Sequence, residues 1–228
     1  MATKEVPKVY APILAYHAIG TFDKGAYIMS PDNFTAQMQW LKDNKYNVIS
    51  MDDMIAGLNG QKKLPSNPVT ITFDDGNDNN YSAAYPILKQ FGYTATFFII
   101  TGRVGQPGTM TWAQLKDLAA NGMTIGSHTV NHVNLKKANS EVAPRELTDS
   151  KAILEKNLGF PVKYFSYPNG GYTDEIANQV QIAGYAAAVT THRSPMQKVN
   201  TIDDNYVLSR IEMNASLSIF TKRLQSLD

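Results

Sequence analysis

The feature that most constrains the fold is a regular alternation of strand-like and helix-like stretches along the chain. Short apolar or β-branched runs occur at 11–17, 47–51, 69–73, 94–101, 124–128, 164–168, 186–191 and 206–213. Each run is followed, directly or after a short loop, by a stretch with helical periodicity, and glycine or a capping residue marks most of the turns. Strands that alternate with helices in this way predict a parallel sheet covered by helices.

The number of predicted strands favours a closed sheet. Seven or eight parallel strands with intervening helices predict an α/β fold, a distorted (β/α)7–8 barrel. The 228 residues contain no internal repeat, low-complexity segment or charge block that would mark a boundary. We therefore expect one domain over 1–228. In a barrel of this kind, catalytic residues lie at the C-terminal ends of the strands.

Chemically useful side chains are concentrated where the predicted strands end. Two imidazoles, two carboxylates and a guanidinium follow this pattern: His17, Asp74, Asp75, His128 and Arg210. Because the carboxyl ends of parallel strands meet on one rim, we expect these side chains to lie close together. Taken singly, they are also compatible with a turn, a rim histidine or a surface salt bridge. Their joint occurrence at strand ends favours a site.

The segment His128-Thr-Val-Asn-His132 predicts a metal site. On a helical turn, side chains four residues apart lie on the same face, so both imidazoles could bind one divalent ion. One carboxylate of the Asp74–Asp75 pair would be the third ligand, and the other could accept a proton from water. This donor set is typical of catalytic zinc but also accepts cobalt, nickel or iron. Alone, the histidine spacing is a weak signal, because exposed helices share it.

Composition excludes several classes of function. The 21 basic and 20 acidic residues give a net charge of +1, so no global field attracts nucleic acid. Cysteine is absent, which excludes disulfides, thiolate metal sites and a cysteine nucleophile. No apolar run approaches the roughly 20 residues of a membrane span. Pro7 and Pro12 interrupt the N-terminal segment, so we expect no signal peptide there.

Two motifs in the chain resemble those of a known family. Thr72-Phe-Asp-Asp-Gly76 and Ser127-His-Thr-Val-Asn-His132 are similar to the first two signature motifs of the polysaccharide deacetylases (carbohydrate esterase family 4, the NodB-homology domain). The likeness extends from LAYHAIG at 14–20 to YVLSRIEM at 206–213. It implies a distorted (β/α) barrel, a divalent metal that is usually zinc, and removal of N-acetyl groups from glucosamine polymers or, in some members, of O-acetyl groups from xylan.

The resemblance also implies residue roles, carried over by position. Asp74 corresponds to the catalytic base. The metal ligands would be Asp75, His128 and His132. A backbone N–H at Asn169 would help to hold the oxyanion that forms when water attacks the amide carbon.

The remaining signature motifs depart from the family pattern. Ser166-Tyr-Pro-Asn169 lacks the arginine and the aromatic residue of the third motif, and 188–195 lacks the Asp-Trp pair of the fourth. Arg210 stands where the fifth motif has a histidine. This pattern of departures resembles the branch of the family that contains the poly-β-1,6-N-acetylglucosamine deacetylases and related cell-wall enzymes. On that pattern His17 protonates the leaving amine, and Arg210 orients Asp74.

The expected partner is an acetylated amino-sugar polysaccharide or oligosaccharide, bound by a monomer. Tyr167 and Trp112 could stack on sugar faces, with core packing as the alternative, and Pro168 would help to orient the substrate. Such a polymer favours a location outside the cell or in its envelope, after removal of a signal or anchor segment, over the cytoplasm. Alternatives are an O-acetyl esterase for acetylated xylan or small acetylated molecules, a non-catalytic carbohydrate-binding protein with a vestigial site, and a cytosolic amidohydrolase for a small substrate.

Overall fold

Seven parallel strands close into a barrel. The computed structural model describes residues 11–21, 27–191, 205–213 and 216–225. The strands are β1 (Ile13–Tyr16), β2 (Ala18–Ile19), β3 (Ile28–Met29), β4 (Asn47–Val48), β5 (Pro68–Phe73), β6 (Thr96–Ile99), β7 (Thr124–Ser127), β8 (Tyr164–Ser166), β9 (Ala187–Thr190) and β10 (Leu208–Glu212). The main sheet runs β1-β10-β9-β8-β7-β6-β5, and β1 also pairs with β5, which closes it.

The eighth strand of the sheet, β4, lies outside the closure. Its two residues pair with Pro68 and Val69 at the start of β5. The segment from Thr70 to Phe73 pairs with β1 along the opposite edge. The Val69 carbonyl accepts from Ile49 after β4, whereas the N–H of the same peptide, on Thr70, donates to the Pro12 carbonyl before β1. β4 therefore lies on the same side of β5 as β6, and β1 completes the ring from the opposite edge. The predicted (β/α)7–8 barrel is therefore confirmed, with seven strands in the barrel.

Helices surround the barrel in the predicted alternation. They are α1 (Pro31–Asp43), α2 (Met51–Leu58), α3 (Tyr85–Phe91), α4 (Trp112–Ala120), α5 (Val142–Leu158), α6 (Asp174–Ile182) and α7 (Leu217–Gln225). Ser30 caps α1 ahead of Pro31, and Thr111 forms a capping box with Gln114 at the start of α4. No helix among the described residues combines the length and apolarity that a bilayer span requires.

Two features have no counterpart in the sequence prediction. A π-helical turn, Asn80–Ala84, leads into α3. Outside the barrel, β2 and β3 form a two-stranded parallel ladder. Strands of two residues are too short to show an alternating pattern, so β2 and β3 could not be predicted from hydrophobic periodicity.

The barrel interior is apolar at one end. Its buried side chains include Ile13, Phe98, Tyr164, Val189 and Leu208. A Cβ at Gly126 on β7 would lie 2.5 Å from the Phe98 ring, so this position requires glycine. The Arg210 guanidinium lies over the Phe98 ring, 5.6 Å from its centroid. The apolar layer thus supports a polar layer at the C-terminal end of the strands.

Candidate active site

Asp74 continues β5 into the C-terminal rim of the barrel. Its backbone N–H donates to the Tyr16 carbonyl at 3.0 Å, which extends the pairing of β5 with β1 by one residue. Arg210 on β10 donates to both carboxylate oxygens, at 2.8 Å to Oδ1 and 2.6 Å to Oδ2. Both side chains are buried. This is the bidentate geometry in which arginine binds a carboxylate most strongly.

Two hydroxyl groups complete the polar layer around this ion pair. Ser166 Oγ donates to Asp74 Oδ2 at 3.2 Å and accepts from Arg210 at 2.9 Å. Thr72 Oγ1 accepts from Arg210 at 3.1 Å. Burial raises the pKa of Asp74, but the Arg210 charge and its hydrogen bonds outweigh burial and hold that pKa well below its usual range. Asp74 is therefore an ionised carboxylate with a fixed orientation.

The backbone turns sharply at Asp75, which separates the two adjacent carboxylates. Asp75 has φ 73° and Gly76 has φ 75°, both in the left-handed region. Asp tolerates this conformation better than most residues, and glycine adopts it freely. The Asp75 carboxylate faces two histidines, whereas Asp74 faces Arg210. The chain thus places neighbouring acids in two different environments.

His128 has a fixed ring orientation. Its backbone N–H donates to the Ile99 carbonyl at 2.9 Å, which continues the pairing of β7 with β6. Its Nδ1 lies 2.7 Å from the Ser166 carbonyl oxygen. Because a carbonyl only accepts, Nδ1 carries the proton and Nε2 is the free ring nitrogen. A metal-ligating histidine commonly has this kind of outer partner.

The segment that follows His128 is a loop, so the predicted helical turn is wrong. Thr129 and His132 have φ of 67° and 59°, outside helical geometry. The His132 N–H donates to Thr129 Oγ1 at 2.9 Å, which folds the loop back on itself. The two imidazole rings still meet, with centroids 4.9 Å apart. A tight loop gives the proximity that we expected from helical spacing.

Asp75, His128 and His132 can hold one metal ion. Their candidate ligand atoms all lie within 4.8 Å of one another. Asp75 Oδ1 is 3.7 Å from His128 Nε2 and 3.5 Å from His132 Nε2. A tetrahedral ion with ligands about 2.0–2.2 Å away separates them by about 3.4 Å, so the three donors fit zinc. Burial, together with His128, lowers the pKa of His132 and favours the neutral ring that binds metal.

A pocket of about 310 Å³ opens above these groups. Its lining is His17, Tyr27, Asp74, Asp75, His128, His132, Tyr167, Asn169, Gly170, Thr191 and Glu212. Asp74 Oδ2 lies 4.0 Å from His128 Nε2, so the paired carboxylate borders the ligand set without belonging to it. Buried His17 Nδ1 has no hydrogen-bond partner among the described residues. The structure thus brings together the predicted base, acid and ligands in one open cavity.

The structure argues against the two predicted sugar-stacking residues. Tyr167 borders the pocket, but its ring is fully buried against Phe165 and its hydroxyl donates to the Tyr206 carbonyl, so the ring has no exposed face on which a sugar could stack. Trp112, the first residue of α4, packs against the core and does not line the pocket. Pro168 is buried in the turn before Asn169, which has φ 54° and lines the pocket. Residues 192–195 of the altered fourth motif lie outside the described ranges.

Three residues of this site were not predicted from the sequence. Ser166 stands where the third family motif has its arginine, and this substitution could have indicated contact with Asp74. Tyr27 is 53% exposed and lies against His17, with ring centroids 4.7 Å apart. Glu212 follows Arg210 by two residues on β10 and therefore shares its face of the strand. Tyr27 belongs to no recognisable motif, and Glu212 lies in the segment of the altered fifth motif, where only Arg210 was singled out.

The comparisons with known proteins agree with this geometry. The family model described as polysaccharide deacetylase matches residues 61–188. A Bacillus subtilis protein named "Putative polysaccharide deacetylase YxkH" is 33% identical over 91% of this chain and 72% of its own length. The chain belongs to the polysaccharide deacetylase family. Its members include enzymes named as N-deacetylases, among them the poly-beta-1,6-N-acetyl-D-glucosamine N-deacetylase of Staphylococcus aureus.

The similarity differs in extent among individual polysaccharide deacetylases. The staphylococcal enzyme is 30% identical over 69% of this chain, which spans 59% of that relative. The solved Streptococcus pyogenes deacetylase PplD in complex with acetate is 31% identical, with a TM-score of 0.87 over 97% of this chain and all of that chain. The structure of IcaB from Ammonifex degensii, 23% identical with a TM-score of 0.81, shares the fold.

The Asp74–Arg210 pair gives a stability prediction for this deacetylase. We expect Arg210→Met to lower the free energy of unfolding by about 3–5 kcal/mol, because it leaves a buried carboxylate without its cation. Asp74→Asn in the same chain should recover part of this loss, since it removes the unpaired charge. Urea denaturation of both single variants and the double variant gives the coupling energy. Additive losses would contradict the ion pair.

Proposed function

We propose that this chain is a metal-dependent hydrolase that removes N-acetyl groups from an N-acetylglucosamine-containing polysaccharide of the cell wall or extracellular space. The observation that carries the proposal is the division of the two acids. Asp75 groups with two imidazoles as a ligand set, while Asp74, held by Arg210, borders that set in the same open pocket. Water activation beside a metal needs these two kinds of carboxylate.

Asp75, His128 and His132 would hold the ion. Zinc is the ion that this donor set most often holds in catalytic sites, although cobalt, nickel and iron accept the same donors. When bound, such an ion lowers the pKa of water and polarises the acetyl carbonyl. The Ser166 carbonyl accepts from His128 Nδ1, which leaves Nε2 as the ring nitrogen directed at this position.

Asp74 acts as the general base for the attacking water. Arg210 and Ser166 keep its carboxylate ionised and prevent it from rotating toward the histidines. A base with a fixed position spends little entropy in reaching the proton that it accepts. The backbone N–H at Asn169 would donate to the developing oxyanion. The support for this role is that Asn169 lines the same pocket.

His17 acts as the general acid that protonates the leaving amine. It lines the pocket together with Asp74, and its ring lies beside that of Tyr27. Exposed Tyr27 also presents an aromatic surface at this side of the pocket, and sugar rings stack on such surfaces. Tyr27 therefore replaces Tyr167 and Trp112 as the candidate residue for stacking on a sugar ring.

The relatives support the substrate class. The names of the Staphylococcus aureus enzyme and of PplD both describe deacetylases, and the former specifies an N-acetylglucosamine polymer. A polymer of this kind is reached outside the cell, so we also propose an extracellular or envelope location. We further propose that 1–228 act as a single domain and a monomer.

Acetate release tests the proposed function directly. Purified protein with zinc should release acetate from β-1,6-linked N-acetylglucosamine oligomers, chitin oligomers or peptidoglycan, and a chelator should abolish the release. Acetylated xylan is the control for an O-acetyl esterase. Release from xylan alone would support the esterase instead, and sugar binding without any release would support a non-catalytic protein.

The role of His17 can be separated from general damage to the site. His17→Ala should reduce turnover of the N-acetyl substrate by about 10²–10⁴, the usual contribution of acid–base catalysis. An activated acetate ester has a leaving group that needs no proton, so its hydrolysis should fall much less. Equal losses on amide and ester would contradict protonation of the amine as the main role of His17.

A further inference from the structure

We propose that Glu146 on α5 is a positioning residue that sets the metal affinity of the site by holding the loop between His128 and His132. This inference rests on the proposed metal site, but it assigns a role to a residue that contacts neither metal nor substrate. No signature motif includes Glu146. The observation behind it is a buried carboxylate whose hydrogen-bond partners all belong to one loop.

The contacts of Glu146 are specific. Oε2 accepts from the backbone N–H groups of Val130 and Asn131, at 2.8 and 2.9 Å. Oε1 accepts from Asn131 Nδ2 at 2.7 Å. The Glu146 side chain is buried, and no lysine or arginine of the described residues forms an ion pair with it. The loop N–H groups therefore stabilise this charge, and the charge in turn fixes the loop.

The loop needs such an anchor because its backbone conformation is unfavourable. The donors, Val130 and Asn131, lie between two residues with positive φ, Thr129 and His132. Non-glycine residues in this region cost free energy that the surrounding structure must supply. The loop donates three hydrogen bonds to the Glu146 carboxylate on α5, and each is stronger than a bond to a neutral acceptor. These bonds supply part of that free energy.

The two histidines depend on this anchor to different degrees. The His128 ring is fixed independently, by its bond to the Ser166 carbonyl. Within the described part of the chain, no hydrogen bond fixes the His132 ring in this way, and Asp75 Oδ1 lies 3.5 Å from its Nε2. The position of His132 Nε2 is therefore determined mainly by the loop backbone. The Thr101 and Gly102 N–H groups also bind this loop, at the Thr129 and Val130 carbonyls, so loss of Glu146 should loosen His132 without unfolding the loop.

The test is the zinc affinity of Glu146→Gln, measured by competition with a chromogenic chelator in the absence of substrate. The amide removes the charge, so the Val130 and Asn131 N–H groups keep at most a neutral acceptor, which forms weaker hydrogen bonds. Its NH2 group opposes Asn131 Nδ2 unless that side-chain amide turns over. We expect the zinc Kd to rise about 10-fold, the lower end of the range for groups bonded directly to metal ligands, because Glu146 acts through the neighbouring residues Val130 and Asn131. Glu141→Gln is the matched control, because it removes the same charge from an exposed residue that directly precedes α5. Its Kd should stay within about twofold of the wild type.

Thermal unfolding of the zinc-free proteins separates positioning from a purely structural role. A structural role alone would lower the unfolding temperature of Glu146→Gln and leave the Kd of the folded protein unchanged, and that result would overturn the proposal. Asn131→Ala removes one of the three donors and keeps both backbone N–H groups, so it should weaken zinc binding less and in the same direction. If Glu146→Gln does not fold, an unchanged Kd for Asn131→Ala overturns the proposal instead.

These outcomes are independent of acetate release. Wild-type protein that binds zinc but releases no acetate would refute the proposed function and leave the role of Glu146 intact. Conversely, active wild-type enzyme with unaltered zinc affinity in Glu146→Gln would refute only the role of Glu146.

Discussion

The bidentate ion pair between Asp74 and Arg210 is the interaction on which the site depends. Two adjacent carboxylates beside two imidazoles would otherwise compete for the same ion, and each would raise the pKa of the other. Arg210 holds one carboxylate inside the barrel, and the left-handed turn at Asp75 directs the other to the histidines. This division gives one acid the environment of a base and the other that of a ligand.

The barrel topology explains how one chain assembles this arrangement from distant segments. Parallel strands bring their carboxyl ends to one rim of the barrel. Side chains at the ends of β5, β7, β8 and β10 therefore meet in one layer. The guanidinium reaches Asp74 from β10, while Ser166 on β8 stands where the family pattern has its arginine. The expected contact between Arg210 and Asp74 is thus present, with the cation on a different strand from that of the usual motif.

The sequence predicted the features that depend on local pattern. Alternating strands and helices predicted the barrel, and Asp74, Asp75, His128 and His132 share one pocket as expected. The prediction of a helical turn failed because distant contacts determine that loop: Glu146 binds it from 15 and 16 residues away. Sugar-stacking residues were equally beyond local pattern, since burial of an aromatic ring depends on the packing of neighbouring strands and helices.

The most direct test of the divided roles compares Asp74→Asn with Asp75→Asn for bound zinc, by elemental analysis of folded protein, and for acetate release. We expect Asp74→Asn to retain zinc near the wild-type content while turnover falls by at least about 10². Asp75→Asn should lose most of the metal, because it removes a ligand. Loss of zinc from Asp74→Asn to the same extent as from Asp75→Asn, or near-normal turnover in Asp74→Asn, would contradict the account.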